Sequence, residues 1–200
     1  MTIKKILMLA SMALAVVAFA APAMAQANDT WTTDGEPIPG PLDPTTVVVH
    51  GELSSKVGNF TTGPAVVHGH GDIWNGEEMG EGQISNFTIT GELAVGPGLP
   101  SSCKATGTAN NLPWSVTATT GVVDISAHFT NHYNAVCQSL GFPASATAHG
   151  TATGTVEGNC LKFNNSGDMT TSGGAAVALT GKVCITDAEG EGVIGTTPMP

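Results

Sequence analysis

The segment Thr45-Thr-Val-Val-Val-His-Gly-Glu-Leu53 decides how this chain is read. Val47, Val49 and Leu53 share one parity and Thr46, His50 and Glu52 the other, the signature of a strand whose successive side chains point to opposite faces. The same period of two runs outward through residues 65–70, 83–95, 114–118, 122–129, 146–156 and 175–185. Each run is rich in Val, Thr, Ile and Ala and is bounded by Gly, Pro, Asn or Asp. Gly63-Pro64, Asn75-Gly76, Pro97-Gly98 and Ser166-Gly167 are turn dipeptides, and Asn75-Gly76 is the type I′ hairpin signal. Only Asn131 to Leu140 leaves room for a turn of helix. Eight or so antiparallel strands predict an all-β chain, with a single β-sandwich or jelly-roll-like domain over residues 47–186. Val48-Val-His-Gly51 recurs as Val66-Val-His-Gly69, which suits neighbouring strands of a hairpin but does not establish a repeat architecture.

The flanks read differently. Residues 1–25 form an export signal: Lys4 and Lys5, an uncharged apolar stretch from Ile6 to Ala20, and Ala23-Met24-Ala25 for the peptidase. The apolar stretch is shorter than the roughly 20 residues a membrane span needs. Cleavage near Ala25 and a secreted or periplasmic protein are expected, with no membrane span in the mature chain. Residues 26–46 carry Pro37, Pro39, Pro41 and Pro44 and predict an irregular lead-in that Trp31 pins to the domain. Residues 187–200 read as a loose tail.

Composition removes whole classes of function. The 200 residues contain 6 Lys+Arg against 16 Asp+Glu, and every one of the six is lysine. Removing Lys4 and Lys5 with the signal leaves four cations and a balance of −12. A nucleic-acid binder needs cations to displace counterions, so nucleic acid is not the partner. The lack of arginine also argues against bidentate clamping of phosphates or carboxylates.

Four cysteines, Cys103, Cys137, Cys160 and Cys184, predict two disulfides in an exported chain. Three connectivities are open. Sequential pairing, Cys103 with Cys137 and Cys160 with Cys184, is favoured because each bridge closes one excursion of a sheet. No Cys-x-x-Cys spacing supports a metal reading of these residues.

The sharpest chemical candidate is His68-Gly-His70-Gly-Asp72. On a strand these three polar side chains share a face, with glycines between them leaving room, and a β-hairpin would bring His50 alongside. Three imidazoles and a carboxylate form a zinc or copper set; solvent-facing histidines are the plainer alternative. Asp72 to Glu81 holds four acids, but EF-hand spacing is absent, which leaves a solvated acidic turn. Gly-x-Ser-x-Gly, His-Glu-x-x-His and Gly-x-x-x-x-Gly-Lys are all missing, so no catalytic residue is assigned. Trp31, Trp74 and Trp114 are the candidates for contact with a sugar or an apolar ligand.

Asn111-Leu-Pro-Trp-Ser-Val-Thr-Ala118, preceded by Cys103 and followed by Gly158-Asn-Cys160-Leu-Lys-Phe-Asn-Asn-Ser-Gly-Asp168, resembles small secreted bacterial proteins of the protein activator of alkane oxidation type. The resemblance covers residues 99–185. It implies an exported, non-catalytic accessory protein, with Trp114 as a core anchor and the cysteines bridged, and carries over no functional residue. The reading as a whole is a secreted, non-catalytic β-sandwich with a surface, matrix or accessory binding role, open to self-association or a cell-surface partner and using no cofactor. The alternative is an extracellular zinc or copper protein or oxidoreductase built on His50, His68, His70 and Asp72.

Overall fold

The structure is a computed structural model describing residues 29–190 and 194–198, other than 97, 120 and 166. The expected export signal and its cleavage point lie outside these residues, as do Pro97 and Ser166 of two of the turn dipeptides. The main strands are β3 (Thr45–Val57), β4 (Phe60–Asn75), β5 (Gly80–Thr90), β8 (Trp114–Thr119), β9 (Val122–Tyr133), β10 (Ser145–Glu157), β11 (Cys160–Asn164) and β13 (Ala176–Asp187). Shorter pieces are β1 (Asp29–Thr33), β2 (Glu36–Pro37), β6 (Leu93–Gly96), β7 (Lys104–Ala109), β12 (Met169–Thr171) and β14 (Ile194–Pro198), and α1 spans Ala135–Ser139.

The eight main strands pair with their chain neighbours in antiparallel order, and β13 then returns to β3 through eleven residue pairs from Val57–Val177 to Val47–Asp187. That last pairing closes the sheet into a barrel, where a sandwich or jelly roll was expected. Inward-apolar alternation is common to both architectures, and closure leaves neither β3 nor β13 as an unpaired edge. Three staves are built in two pieces. β6 continues β5 along β4, β7 continues β8 along β9, and β12 continues β11 along β13.

Inward rows follow the period of two. Val123, Ile125, Ala127 and Phe129 of β9 are buried, as are Leu161 and Phe163 of β11 and Val177, Leu179 and Val183 of β13. Thr46, His50 and Glu52 of β3, His68 and His70 of β4 and Thr88 and Thr90 of β5 take the outer positions, a largely polar row.

Parts of both flanks are strand where an irregular lead-in and a loose tail were expected: β1 pairs with β14 over Asp29–Pro198 to Thr33–Ile194 and β2 adds a third strand, while residues 38–44 carry no strand. Trp31 organises this cap: it is 1% exposed, and its indole Nε1 donates to the Glu81 carbonyl at 2.9 Å. Asn75 completes the clamp. Its Oδ1 accepts from the Trp31 amide at 2.7 Å, and its Nδ2 donates to the Ile38 carbonyl at 2.8 Å. Asn75 and Gly76 do not form a two-residue turn: Asn75 pairs with Gly80 and the connection runs over residues 76–79. Gly80 is the point of close approach, since a Cβ there would stand 2.8 Å from Trp31 Cδ1.

The cysteines bridge as Cys103–Cys137 and Cys160–Cys184. The second joins directly opposed residues of β11 and β13, and the first ties α1 to the residue before β7. Among the described residues the one short helix falls within the stretch expected to allow it, capped by the Asn134 side chain accepting from the Cys137 amide at 3.1 Å. Among the described residues no helix is long and apolar enough to cross a membrane.

Candidate functional site

The barrel encloses a cavity of about 90 Å³. Trp31 closes one end, and Val49, Val67, Trp114, Phe163 and Leu179 are among the residues of its apolar wall. Trp114 is 4% exposed, packs on Phe87 at 4.9 Å between ring centroids and donates its indole N–H to the Asn110 carbonyl at 2.7 Å. Its expected role as a core anchor is the one it has.

The end opposite Trp31 is polar. Ser54, Ser55, Thr62 and Asn131 line the cavity there. Thr62 and Asn131 are both buried, and Asn131 Nδ2 reaches Ser55 Oγ at 3.5 Å, the outer limit of a hydrogen bond. The phenol of Tyr133 is hydrogen-bonded to the side chains of Thr62 and Asn131. Burial raises the Tyr133 pKa above its ordinary 10.0, and these two hydrogen bonds act in the opposite direction. Above this mouth Phe142, in the connection between α1 and β10, stacks edge-on against Phe60 at 4.9 Å and lies 5.2 Å from Tyr133. Phe60 itself is partly exposed.

Two local features turn these polar groups inward. Asn131 occupies the next inward position of β9 after Ile125, Ala127 and Phe129. Thr62 would face outward on a regular β4, but the register steps from Leu53–Ala65 to Ser55–Thr62, so Gly63-Pro64 opposes a single residue and flips the parity. Sequence reasoning missed this cluster. Asn131 was legible as the polar member of an apolar inward row; Thr62 was not, because its side depends on the bulge.

The histidine set lies on the outer face. His50 is directly opposite His68 across β3 and β4, so the hairpin anticipated from the Val-Val-His-Gly echo is present, and His70 stands two residues further along the strand. Asp72 accepts a hydrogen bond from Thr46 Oγ1 at 3.0 Å. Among the described residues no group of three or more His, Cys, Asp or Glu side chains is gathered closely enough to hold a metal. The interleaved glycines face the interior: a Cβ on Gly69 would stand 2.8 Å from the Asn86 carbonyl oxygen, and one on Gly71 2.2 Å from that of Gln83. They admit close approach of β5 to β4 rather than make space for an ion. A second cross-strand pair, His128 with His149, has ring centroids 5.8 Å apart, with the Asn111 amide against His128 Nδ1.

Of the three tryptophans, Trp31 and Trp114 are buried and contribute to the cavity wall. Trp74 is half-buried on the outer face, with its Nε1 donating to Glu81 Oε2 at 3.0 Å. Comparison with protein-family models, with curated proteins and with solved structures gives no match for this chain.

Proposed function

We propose that this protein is an exported, non-catalytic accessory binding barrel whose interior takes a small, mainly apolar molecule. One observation carries the reading: the interior retains about 90 Å³ of space walled by apolar side chains and stopped at one end by Trp31. Apolar cavities stay dry, and an engineered cavity of about 150 Å³ takes xenon or benzene. A space of this smaller size suits a guest of a few heavy atoms. Two disulfides agree with an oxidising compartment, and an accessory role agrees with the family resemblance seen in the sequence.

Xenon titration monitored by methyl NMR tests it. Saturable shifts of Val49, Val67 and Leu179 methyls are expected, with outward-facing Val48 unmoved. Shifts that grow linearly with xenon pressure at all sites, without saturation, would overturn the reading.

The second reading is a zinc or copper protein, and the direct opposition of His50 and His68 favours it. Two imidazoles on an exposed face supply half of a tetrahedral set, with His70 and Asp72 as the nearest additions along β4. Zinc titration by calorimetry, repeated on His50→Ala, decides this reading.

A further inference from the structure

Within the binding reading just given, we infer that the interior selects a neutral guest bearing one hydrogen-bond donor, an alcohol or amide, and rejects a carboxylate of the same size. The apolar body lies toward Trp31 and the polar group meets Asn131 and Thr62.

The cavity is chemically asymmetric along its axis. Of the polar residues in its lining, Ser54, Ser55, Thr62 and Asn131 gather at the far end, whereas Gln83 alone lies toward the Trp31 end among apolar walls. A guest that put its own polar group among the apolar residues would lose hydration without replacement. The far end offers that replacement. A primary amide has two N–H donors and a carbonyl acceptor with two lone pairs. Asn131 spends one donor on a long, weak contact with Ser55 and the other on the Tyr133 phenolic oxygen, so its carbonyl oxygen is what it retains for a guest. The guest group it serves is therefore a donor, a hydroxyl or an amide N–H.

Charge sets the selectivity. The polar end of the lining carries only hydroxyls and an amide, with no cation. Lys56, the nearest lysine along β3, is exposed on the outer side, and Lys104 occupies an outward position next to inward-facing Ala105. A carboxylate taken into this space would lose water and gain no counter-charge, a penalty far larger than that for a neutral group. Size limits the guest as well: about 90 Å³ is well below the roughly 150 Å³ that takes the six carbons of benzene, so up to about five heavy atoms is the natural range.

The experiment compares xenon, 1-butanol and propionate, the two organic guests having equal heavy-atom counts, at pH 7 on the full disulfide-bonded protein, read by methyl NMR. The expected result is saturable binding of 1-butanol at least tenfold tighter than propionate. Asn131→Leu is expected to weaken 1-butanol about tenfold while leaving xenon binding within twofold, because it removes the polar partner and keeps the space filled. Thr62→Val serves the same purpose if Asn131→Leu does not fold, with a smaller expected loss. Xenon binding with equal affinities for 1-butanol and propionate, or with 1-butanol binding unchanged in both variants, overturns this inference and leaves the binding reading standing. Failure of xenon itself to bind removes both.

Discussion

His50 on β3 is directly opposite His68 on β4, and on its other side His50 is directly opposite Cys184 of β13. A row of outward side chains thus crosses the closing seam of the barrel, from the Cys160–Cys184 bridge through His50 to His68. The histidines are solvent-exposed, and exposed positions tolerate change. The double variant His50→Ala/His68→Ala is therefore expected to shift stability in urea by less than about 0.5 kcal/mol. It is also expected to abolish any zinc or copper uptake of the wild type. Uptake that survives the double substitution would remove the second functional reading.

The glycines between those histidines should behave in the opposite way. A Cβ at Gly71 meets the Gln83 carbonyl oxygen, a backbone atom that cannot swing aside. Gly71→Ala is expected to cost more than 1 kcal/mol, as overpacking does, while His70→Ala beside it costs almost nothing. Equal effects in chemical denaturation would show that β4 and β5 adapt to the added methyl.

Trp31 carries the cap, and its loss opens the cavity to solvent at that end. Trp31→Ala should destabilise by about 3–5 kcal/mol, the usual range for a fully buried tryptophan. Asn75→Ala takes the side-chain partner from the Trp31 amide and the Ile38 carbonyl, while the Trp31 carbonyl keeps the Ile38 amide, and should cost about 1–3 kcal/mol. The two losses are expected to be less than additive in a double-mutant cycle, because both act through the same clamp.

Tyr133 is the only tyrosine in the chain, so ultraviolet titration of the phenolate reads it alone. The titration midpoint is expected above 10.0 in the folded protein and at the ordinary value in urea. The unfolded chain then releases the phenolic proton before the folded one does. Stability from this group is present below pH 10 and is lost as pH rises from there through the higher folded midpoint. Thr62→Val should push that midpoint further up by removing an opposing hydrogen bond. A folded midpoint at or below 10.0 would contradict the burial described for the mouth.

The bridges differ in what they hold. Loops of 34 and 24 residues are each worth about 3–4 kcal/mol in the chain-entropy treatment. Cys160→Ala/Cys184→Ala removes a link between strands that also hydrogen-bond, and should lower stability with little effect on guest binding. Cys103→Ala/Cys137→Ala frees α1 and the Phe142 segment above the mouth, and is expected to speed xenon exchange as well. Exchange rates equal to wild type in the second variant would place the entry route elsewhere.

Strands and disulfides were legible in the sequence because each is local or nearly so. The period of two in residues 122–129 gives β9, and the echo of Val-Val-His-Gly gives the β3–β4 hairpin. Closure was not legible, since the pairing of Val47 with Asp187 joins residues 140 positions apart and leaves no mark on the alternation of either. β1 and β14 escaped notice because short strands near prolines and threonines owe their order to Trp31 and its partners. The mouth was half-legible: Asn131 continues a visible row, and Thr62 reaches it only through the extra residue at Gly63-Pro64.

The pairing of β1 with β14 sets how the molecule bears load. Asp29 lies opposite Pro198, so traction applied at those two residues parts one residue pair at a time, as a zip opens, rather than shearing all five together. Under tension the cap would peel first and draw Trp31 out of the cavity. The ring of long staves would stay shut behind it. A pull on this chain is thereby converted into an opened interior.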